Sequence, residues 1–479
     1  MKPTRGAPDG SAGDRRRVRD RPLRFLMVTT FYPPAHFGGD AIAVQRLARV
    51  LTRRGHEVTV LQDVDPFRVL RRRVGGKPRR AATETPSTVQ GEDGVRVVRL
   101  GSRLPALSAL VTQQTGRPLV QARRIRTLLE GGAFDVIHYH NVSLVGGPGI
   151  LAAGDALKVY EAHEHWLVCP THVLWRHNRE PCTGRQCLRC AVAHRRPPQL
   201  WRYTGYLDRQ LEHVDLFLAK SEFSRRKHRE FGFSREMKVW PYFLPDDVDE
   251  SDRRALPKPG AVAPGGVGVR AVNARPYFLF VGRLERIKGL HDVLPVFRNL
   301  AGADLLVAGT GSYQSVLRRE APPHRVRFLG HMPPESLQRL YREAIALIVP
   351  SLCYETFGLI LIEAFRNGTP VLARDIGPFR EIAEASGGAE LFRTREELAE
   401  AMRRLMDDPD HRARLAEAGR RAFHAHWSES VVVPEYLRLL HAAAASSGRA
   451  ELAERIRCTL ALPNPGSAAG APRAREVCS

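Results

Sequence analysis

The residues best suited to chemistry in this 479-residue chain form an ordered set between Tyr277 and Ile382. Phe280-Val281-Gly282-Arg283-Leu284-Glu285-Arg286-Ile287-Lys288-Gly289 comes first, followed by Gly309-Thr310-Gly311. Pro350-Ser351-Leu352-Cys353-Tyr354-Glu355-Thr356-Phe357-Gly358 is next, then Glu363-Ala364, and Gly368-Thr369-Pro370-Val371 closes the series. Gly282 at a strand's end allows a tight turn that aims Arg283 and Lys288 at a common point. Two such cations suit a diphosphate, because a guanidinium can grip two oxygens at once. Gly309 and Gly311 follow another strand, where missing side chains admit a ligand closely; plain turn glycines are the alternative. Gly358 opens a helix, so Glu355 falls on the loop before it and Glu363 inside it. Carboxylates accept hydrogen bonds from vicinal hydroxyls, and a helix amino end favours phosphate. Glu363 therefore suits a ribose and Glu355 a second sugar.

A second group lies in the first half. Gly38-Gly39-Asp40 opens a helix whose N–H groups and dipole can stabilise an anion. His138-Tyr139-His140 and His163-Glu164-His165-Trp166 each follow a strand, as cleft groups or as ordinary hydrogen-bonded histidines. Four of the seven cysteines, Cys169, Cys182, Cys187 and Cys190, are spaced C-x12-C-x4-C-x2-C. The final pair suits a structural zinc, with His172 or His177 as substitute ligands. A disulfide pair or four free thiols remain as alternatives. Asp-x-Asp pairs occur at Asp63/Asp65, Asp247/Asp249 and Asp408/Asp410; Asp63 and Asp65 follow a predicted strand but precede Pro66, and read as turn residues.

The elements that position these residues follow from hydrophobic period. Leu23–Val28 is an apolar run suited to a buried strand. After the Tyr32-Pro33-Pro34 turn, Ile42, Val44, Leu47, Val50 and Leu51 recur at helical spacing, and Glu57–Leu61 is a second strand. That is a βαβ unit with parallel strands. Further strands are predicted at 95–100, 135–140, 157–161 and 216–220. A second series is predicted at 277–281, 304–308, 326–329, 346–349 and 370–373, with helices between and from 396 to 445. The expectation is an α/β architecture of two doubly wound domains, 22–245 (with a cysteine-rich insert at 169–190) and 276–420. A linker (246–275) joins them, a crossover helix (421–445) follows, and the ends (1–21 and 446–479) are disordered. Such sheets bind ligands at their carboxyl edges.

Taken together, the segments resemble the family-4 retaining glycosyltransferases of GT-B fold (glycosyl transferases group 1), whose hallmark is two glutamates separated by seven residues, after Pro-Ser and around Phe-Gly. The resemblance runs from about Leu23 to Leu440. It implies two Rossmann-like domains facing a cleft and a UDP- or GDP-sugar donor. The donor diphosphate would lie on Arg283 and Lys288, its ribose on Glu363 and its sugar on Glu355. Gly309, Gly311, Phe357 and Gly358 would complete the donor site, and Gly38 and Gly39 would cover the diphosphate. His163-Glu164-His165-Trp166 is similar to the family's His-Asp-x-Trp pattern, which implies that His163 stands near the donor sugar as a catalytic group beside Glu355; Glu164 replaces the usual Asp. The acceptor would be a glycan, a lipid-linked or a small molecule, as in cell-envelope polysaccharide synthesis. The leaving diphosphate would take the acceptor proton, and Arg283 with Lys288 would replace a catalytic metal. Two other classes compete: a GT-B sugar-nucleotide epimerase, which lacks this motif order, and a non-catalytic polyanion binder, which needs aromatics interleaved with its cations.

Composition bounds the partners. The formal charge is +23, from 74 Lys plus Arg against 51 Asp plus Glu, and only eight of the cations are lysines. Either an arginine-rich composition or an anionic surface accounts for it. Residues 67–80 and Leu104–Leu129 mix Arg with Leu, Val and Ala, a pattern suited to an anionic bilayer; no nucleic acid partner is expected. No run of about 18 apolar residues occurs, Arg24 interrupts the first apolar stretch, and no cleavage site follows. The expected location is the cytoplasm, extending to the inner face of the membrane, which also argues against disulfides.

Overall fold

The computed structural model describes residues 21–73, 87–91, 93–246 and 275–460. The expected N-terminal arm and linker, Asp247/Asp249 and residues 74–80 of the first basic stretch therefore lie almost wholly outside the described residues.

Two sheets form the frame. The first contains β1 (Arg24–Thr29), β2 (Glu57–Asp63), β3 (Ser87–Gln90), β4 (Arg96–Leu100), β5 (Val136–Tyr139) and β6 (Leu157–Ala162). A separate two-stranded hairpin, β7 (Trp175–Arg176) and β8 (Glu180–Pro181), belongs to the cysteine-rich insert. β9 (Leu216–Ala219) and β10 (Met237–Val239) complete the first sheet, in the order β10-β9-β6-β5-β1-β2-β4-β3. All of its pairs are parallel except β3 on β4. The second sheet is wholly parallel: β11 (Tyr277–Val281), β12 (Asp304–Ala308), β13 (Val326–Gly330), β14 (Leu347–Val349), β15 (Val371–Arg374) and β16 (Ala389–Phe392), ordered β13-β12-β11-β14-β15-β16. Central strands such as RFLMVT and DLLVA are buried along almost their whole length. Parallel sheets need this, because crossover helices cover both faces and leave no solvated side for polar residues.

β3, β7, β8, β10 and β16 lie outside the expected strands; they are two to four residues long and none is buried along its whole length, as the equally short β5, β9 and β14 are. The C-terminal segment corrects the expectation of disorder from 446. Helix Glu429–Ser446 returns to the first domain, where Val433, Tyr436, Leu437 and Leu440 are fully buried against β-sheet residues such as Phe25 and Val159. A further helix, Ala450–Leu460, packs beside it through Leu452, Ala453 and Ile456. Arg455 grips the Asp135 carboxylate with two nitrogens at 2.6 and 2.9 Å, which ties this helix to the edge of β5. Burial of a helical stripe and a bidentate ion pair hold a segment whose composition alone reads as a tail.

The two domains meet at the carboxyl ends of their strands. The Leu244 and Glu429 N–H groups exchange backbone hydrogen bonds with Trp427 and Leu244 at 3.0 and 2.8 Å, joining the two interdomain crossings. Glu381, on helix Phe379–Ser386, accepts from the Glu222 and Phe223 N–H groups at 3.0 and 2.9 Å. A carboxylate of one domain thus caps helix Glu222–Glu230 of the other.

Candidate active site

Lys288, Ser351 and Glu355 meet in the second domain. Loops after β11 and β14 bring Lys288 Nζ to 2.5 Å from Glu355 Oε1, and Ser351 Oγ donates to the same oxygen at 3.1 Å. Burial pushes the Glu355 carboxyl up, but Lys288 and the Ser351 hydroxyl overcome it and hold it below the ordinary range. Burial pulls Lys288 down, and Glu355 more than restores it, so its pKa is raised. Arg283 is half exposed and pairs with Glu285 at 3.0 Å. Its charge reaches Glu355, Lys288 and Asp40 of the other domain. One guanidinium and one ammonium thus act on the Glu355 carboxylate, within electrostatic reach of Asp40 in the other domain.

Glu363 lies on helix Leu359–Arg366. Tyr341 donates its hydroxyl to Glu363 Oε2 at 3.0 Å. Burial raises the Glu363 pKa, opposed by Arg46 and by the Tyr341 bond. Arg46 comes from helix Gly39–Arg53 of the first domain and donates to the Phe243 carbonyl at 2.9 Å. Its part in the site has no local motif in the sequence; only the 3.6-residue period from Gly39 places it on the cleft face.

The glycines divide by purpose. A Cβ on Gly39 would stand 3.3 Å from Leu359 Cδ2, so the first helix of one domain nearly touches the donor helix of the other. Gly38 is extended and precedes that helix. Gly358 has φ +147°, and a Cβ there would meet Phe379 at 2.9 Å. Gly309 and Gly311 correct the reading of open approach to a ligand. A Cβ at Gly309 would lie 1.9 Å from the Gly282 carbonyl oxygen, and one at Gly311 would lie 2.3 Å from that of Leu284. These glycines let two backbone loops cross, and that crossing sets the Arg283 turn. Phe357 is buried in the second domain's core, edge-on to Tyr242 and Trp427.

His163 is where the structure departs most from the sequence reading. Its side chain is 2% exposed. Nδ1 lies 2.6 Å from the Tyr242 hydroxyl, and Nε2 lies 3.0 Å from His140 Nδ1 and 3.4 Å from Glu161. Burial keeps Tyr242 protonated, so it donates to Nδ1 and leaves the His163 proton on Nε2. No ring nitrogen is free to exchange a proton with a substrate. The His163 carbonyl instead accepts from Thr356 Oγ1 at 2.8 Å, beside Glu355. Ser221 supports the same turn: it caps its own helix through Ser224 N at 3.0 Å and donates to the Thr356 carbonyl at 2.7 Å.

Behind His163 is a buried ionic cluster. Glu161, at the end of β6, is ion-paired with Lys220 and lies 3.2 Å from both His138 Nε2 and His140 Nδ1. Tyr436 of the returning helix reaches His138 Nδ1 at 2.9 Å. Burial pushes the Glu161 carboxyl up, and the groups converging on it, His163 and Lys220 foremost, pull it well below its ordinary range. His138, His140 and Glu161 offer three potential ligand atoms within 4.8 Å of one another. The Lys220 ammonium already supplies the positive charge there, so the trio reads as a completed ion-pair network. The expectation that His138 and His140 are hydrogen-bonded structural histidines fits this network. Asp63 and Asp65 likewise form a buried turn, with Asp65 N donating to Asp63 Oδ1 at 3.0 Å, and Asp408 caps the helix from Pro409 through His411 N at 2.8 Å.

Two parallel α/β domains with cations, a bound carboxylate and glycine-opened helices at their facing edges define a GT-B glycosyltransferase architecture. Comparison with known proteins gives the family. Residues 37–247 match the model described as Glycosyltransferase Family 4, and residues 269–422 match Glycosyl transferases group 1. The chain belongs to the family-4 glycosyltransferases. It is 28% identical over 429 residues to glycogen synthase of Mycobacterium tuberculosis, covering 83% of this chain and 89% of that one. It is 29% identical over 219 residues to phosphatidyl-myo-inositol mannosyltransferase of Mycobacterium leprae, covering 42% and 58%. Among solved structures it is similar to sucrose-phosphate synthase from Thermosynechococcus elongatus, with TM-score 0.65 and 19% identity over 88% of this chain and all of that one. Anabaena Alr3699/HepE in complex with UDP-glucose gives TM-score 0.57 and 18% identity over 89% of this chain and all of that one. The chain is a glycosyltransferase.

Proposed function

We propose that this enzyme transfers a hexosyl group from a UDP- or GDP-sugar to an acceptor with retention of anomeric configuration and without a catalytic metal. The observation that carries the reading is the Lys288–Glu355 contact, with Arg283 in electrostatic range and Glu363 held by Tyr341. Arg283 and Lys288 neutralise the departing diphosphate, a role a divalent ion plays where such cations are lacking. The N-terminus of helix Gly39–Arg53 adds partial positive charge from the opposite side. Glu363 holds the ribose, and Glu355 holds the donor sugar once the diphosphate draws Lys288 away from it. The anomeric C–O bond breaks as the acceptor oxygen bonds on the same face, and the acceptor proton passes to a diphosphate oxygen. The protein contributes position and charge; His163 acts by fixing the Thr356 turn. The UDP-glucose complex of Anabaena HepE supports a UDP-sugar first.

The acceptor is presented at an anionic membrane. Eleven large hydrophobic side chains are exposed among the described residues, and nine of them lie in segments 104–120 and 188–203. Leu104, Leu107 and Leu110 line one side of helix Pro105–Thr115, and Leu119 and Val120 follow. The segments pack together: Trp201 donates to the Gln113 carbonyl at 2.9 Å and Gln113 to the Pro197 carbonyl at 3.0 Å. Arg103, Arg117, Arg123, Arg189 and Arg195, all exposed, flank these apolar residues along the chain. Apolar side chains flanked by arginines fit the interface of an anionic bilayer. The relative named as a phosphatidyl-myo-inositol mannosyltransferase supports a lipid acceptor, as in cell-envelope polysaccharide assembly. No helix among the described residues is long and apolar enough to cross a membrane.

A panel of UDP- and GDP-sugars, assayed for binding and hydrolysis with chelator present, tests the donor reading. Donor binding that Glu363→Ala and Arg283→Ala leave unchanged would refute it. Co-sedimentation with phosphatidylglycerol vesicles, lost in Leu107→Glu/Leu110→Glu, tests the surface; equal binding by that variant would refute the docking face.

A further inference from the structure

Sugar transfer leaves the cysteine-rich insert without a role. Its four cysteines come from separate local structures: Cys169 after the turn His165–Leu167, Cys182 just past β8, and Cys187 and Cys190 on helix Cys187–Ala193. All four border one small cavity, with room of about 20 Å³ for a water-sized occupant. A single such body needs roughly 10–15 Å³, so the space fits one. Val168, Leu174, Trp175 and Phe231 make much of the remaining lining apolar. None of the four forms a disulfide.

The thiols are only weakly engaged. Cys169 Sγ lies 3.3 Å from Thr171 Oγ1, Cys182 Sγ lies 3.3 Å from the Gly184 carbonyl, and Cys190 Sγ lies 3.7 Å from the Trp175 carbonyl. The His177 N–H points at Cys190 Sγ from 3.4 Å, the kind of donor that supports a thiolate. Neither His172 nor His177 borders the cavity, and His172 is paired with Glu164 at 2.7 Å. The four sulfurs stand wider apart than a closed tetrahedron, since no trio of them lies within 4.8 Å among the described residues. Side-chain rotation closes such a set when an ion binds.

The insert's backbone calls for a staple. Its strands are two residues long and its helix seven. His172, Leu174, His177 and Asn178 have positive φ, four of the seven such non-glycine residues among those described. Side-chain-bearing residues hold left-handed backbone only where the surroundings over-determine it.

We propose that Cys169, Cys182, Cys187 and Cys190 bind one zinc ion, which fixes the fold of the insert. Four thiol protons leave as Zn²⁺ enters, giving a site of net charge −2 beside Arg176, Arg185 and Arg202. Soft sulfur ligands in this number select zinc over the hard cations. The ion has a consequence for the cleft. Cys182, Gly184 and Arg185 also form one wall of a larger cavity, about 380 Å³, bounded opposite by Lys227, Glu230 and Tyr354. Tyr354 immediately precedes Glu355, so the metal-held loop shapes an acceptor pocket beside the donor sugar. That consequence rests on the transferase reading; the metal site itself does not.

Elemental analysis of the full chain, purified without a metal-binding tag, tests the site. One zinc per chain is expected, released by a mercurial as the four thiols react. Cys187→Ser/Cys190→Ser should fall below 0.1 zinc per chain, while Cys353→Ser and Cys458→Ser keep a full equivalent. Absence of stoichiometric metal in the wild type, iron in its place, disulfides among the four, or zinc retained by the double variant would each overturn the proposal. Should the double variant misfold, mercurial release from the native protein decides: zinc freed without reaction of these four cysteines, mapped by mass spectrometry, overturns it. Calorimetric titration with UDP separates the two layers. UDP binding preserved in the zinc-free variant, with a raised acceptor KM, supports the pocket role. Stoichiometric zinc in a protein that binds no nucleotide would fail the transferase reading and leave the metal site standing.

Discussion

Replacing Lys288 with methionine removes the ammonium while keeping most of the side chain's length. In the free enzyme that ammonium lies 2.5 Å from Glu355, with the two side chains 22% and 26% exposed. A hydrogen bond to a charged group contributes about 1.5–3 kcal/mol, which converts to a loss of roughly 10- to 150-fold in nucleoside-diphosphate affinity. The upper end is expected, because Glu355 is left without its cation and repels the diphosphate. Lys288 is the foremost group holding the Glu355 pKa down. Its loss lets that carboxyl protonate at higher pH, so the affinity defect should shrink as pH falls. Titration calorimetry with UDP and with uridine measures this directly. UDP should weaken by the stated factor and uridine should not change. UDP affinity within twofold of wild type, or an equal loss for uridine, would refute the assignment of Lys288 to the diphosphate.

Other expectations follow from the same geometry. Burial raises the Glu363 pKa, so the carboxylate needed for ribose is lost at higher pH than an ordinary glutamate; donor KM should rise as pH falls through that range, and Glu363→Gln should flatten the acid limb while raising KM throughout. Burial lowers His56, His138 and His228 to about 4, 3 and 4. The unfolded chain then takes up protons below about 6.5 that the native one refuses, so these three histidines together should cost up to about 4 kcal/mol of stability per pH unit once pH falls below about 5.5, read from urea unfolding between pH 6.5 and 4.5. Asp63 is pushed up to about 7 by burial, with Asp65 adding to it; its ionisation costs stability as pH rises from about 4 to 7, so Asp63→Asn should gain more in melting temperature at pH 8 than at pH 5. Glu381→Ala removes an interdomain helix cap and should cost about 1–2 kcal/mol in thermal stability; an unchanged melting temperature would count against a closed interdomain contact in solution.

Much of this arrangement is legible in the sequence where the signal is local. The helix Leu359–Arg366 falls where Gly358 and the apolar run place it, and the Lys288–Glu355 contact joins two loops that strand-end spacing picks out. What the sequence withholds are partners brought from far away. Tyr436 and His138 are 298 residues apart, and Thr356 and the His163 carbonyl 193; no periodicity links them. The tetrapeptide at His163 fits a pattern that makes it a cleft group, but a pattern does not report that Tyr242, Glu161 and His140 enclose the ring. Gly309 and Gly311 teach the same point, since a glycine that admits a ligand and one that admits another backbone look alike. The helix Ala450–Leu460 was hidden by the proline- and glycine-rich composition that begins just after it, although Leu452 and Ile456 have helical spacing.

The central claim is retaining transfer from a nucleoside-diphosphate sugar at the Lys288–Glu355 site. Proton NMR of the first product formed from a donor whose sugar is α-linked to the diphosphate, followed in real time with chelator present, tests it most directly. An α-configured product whose formation is lost in Glu355→Gln is the predicted result. A β-configured first product, or turnover that survives in Glu355→Gln, would contradict the account.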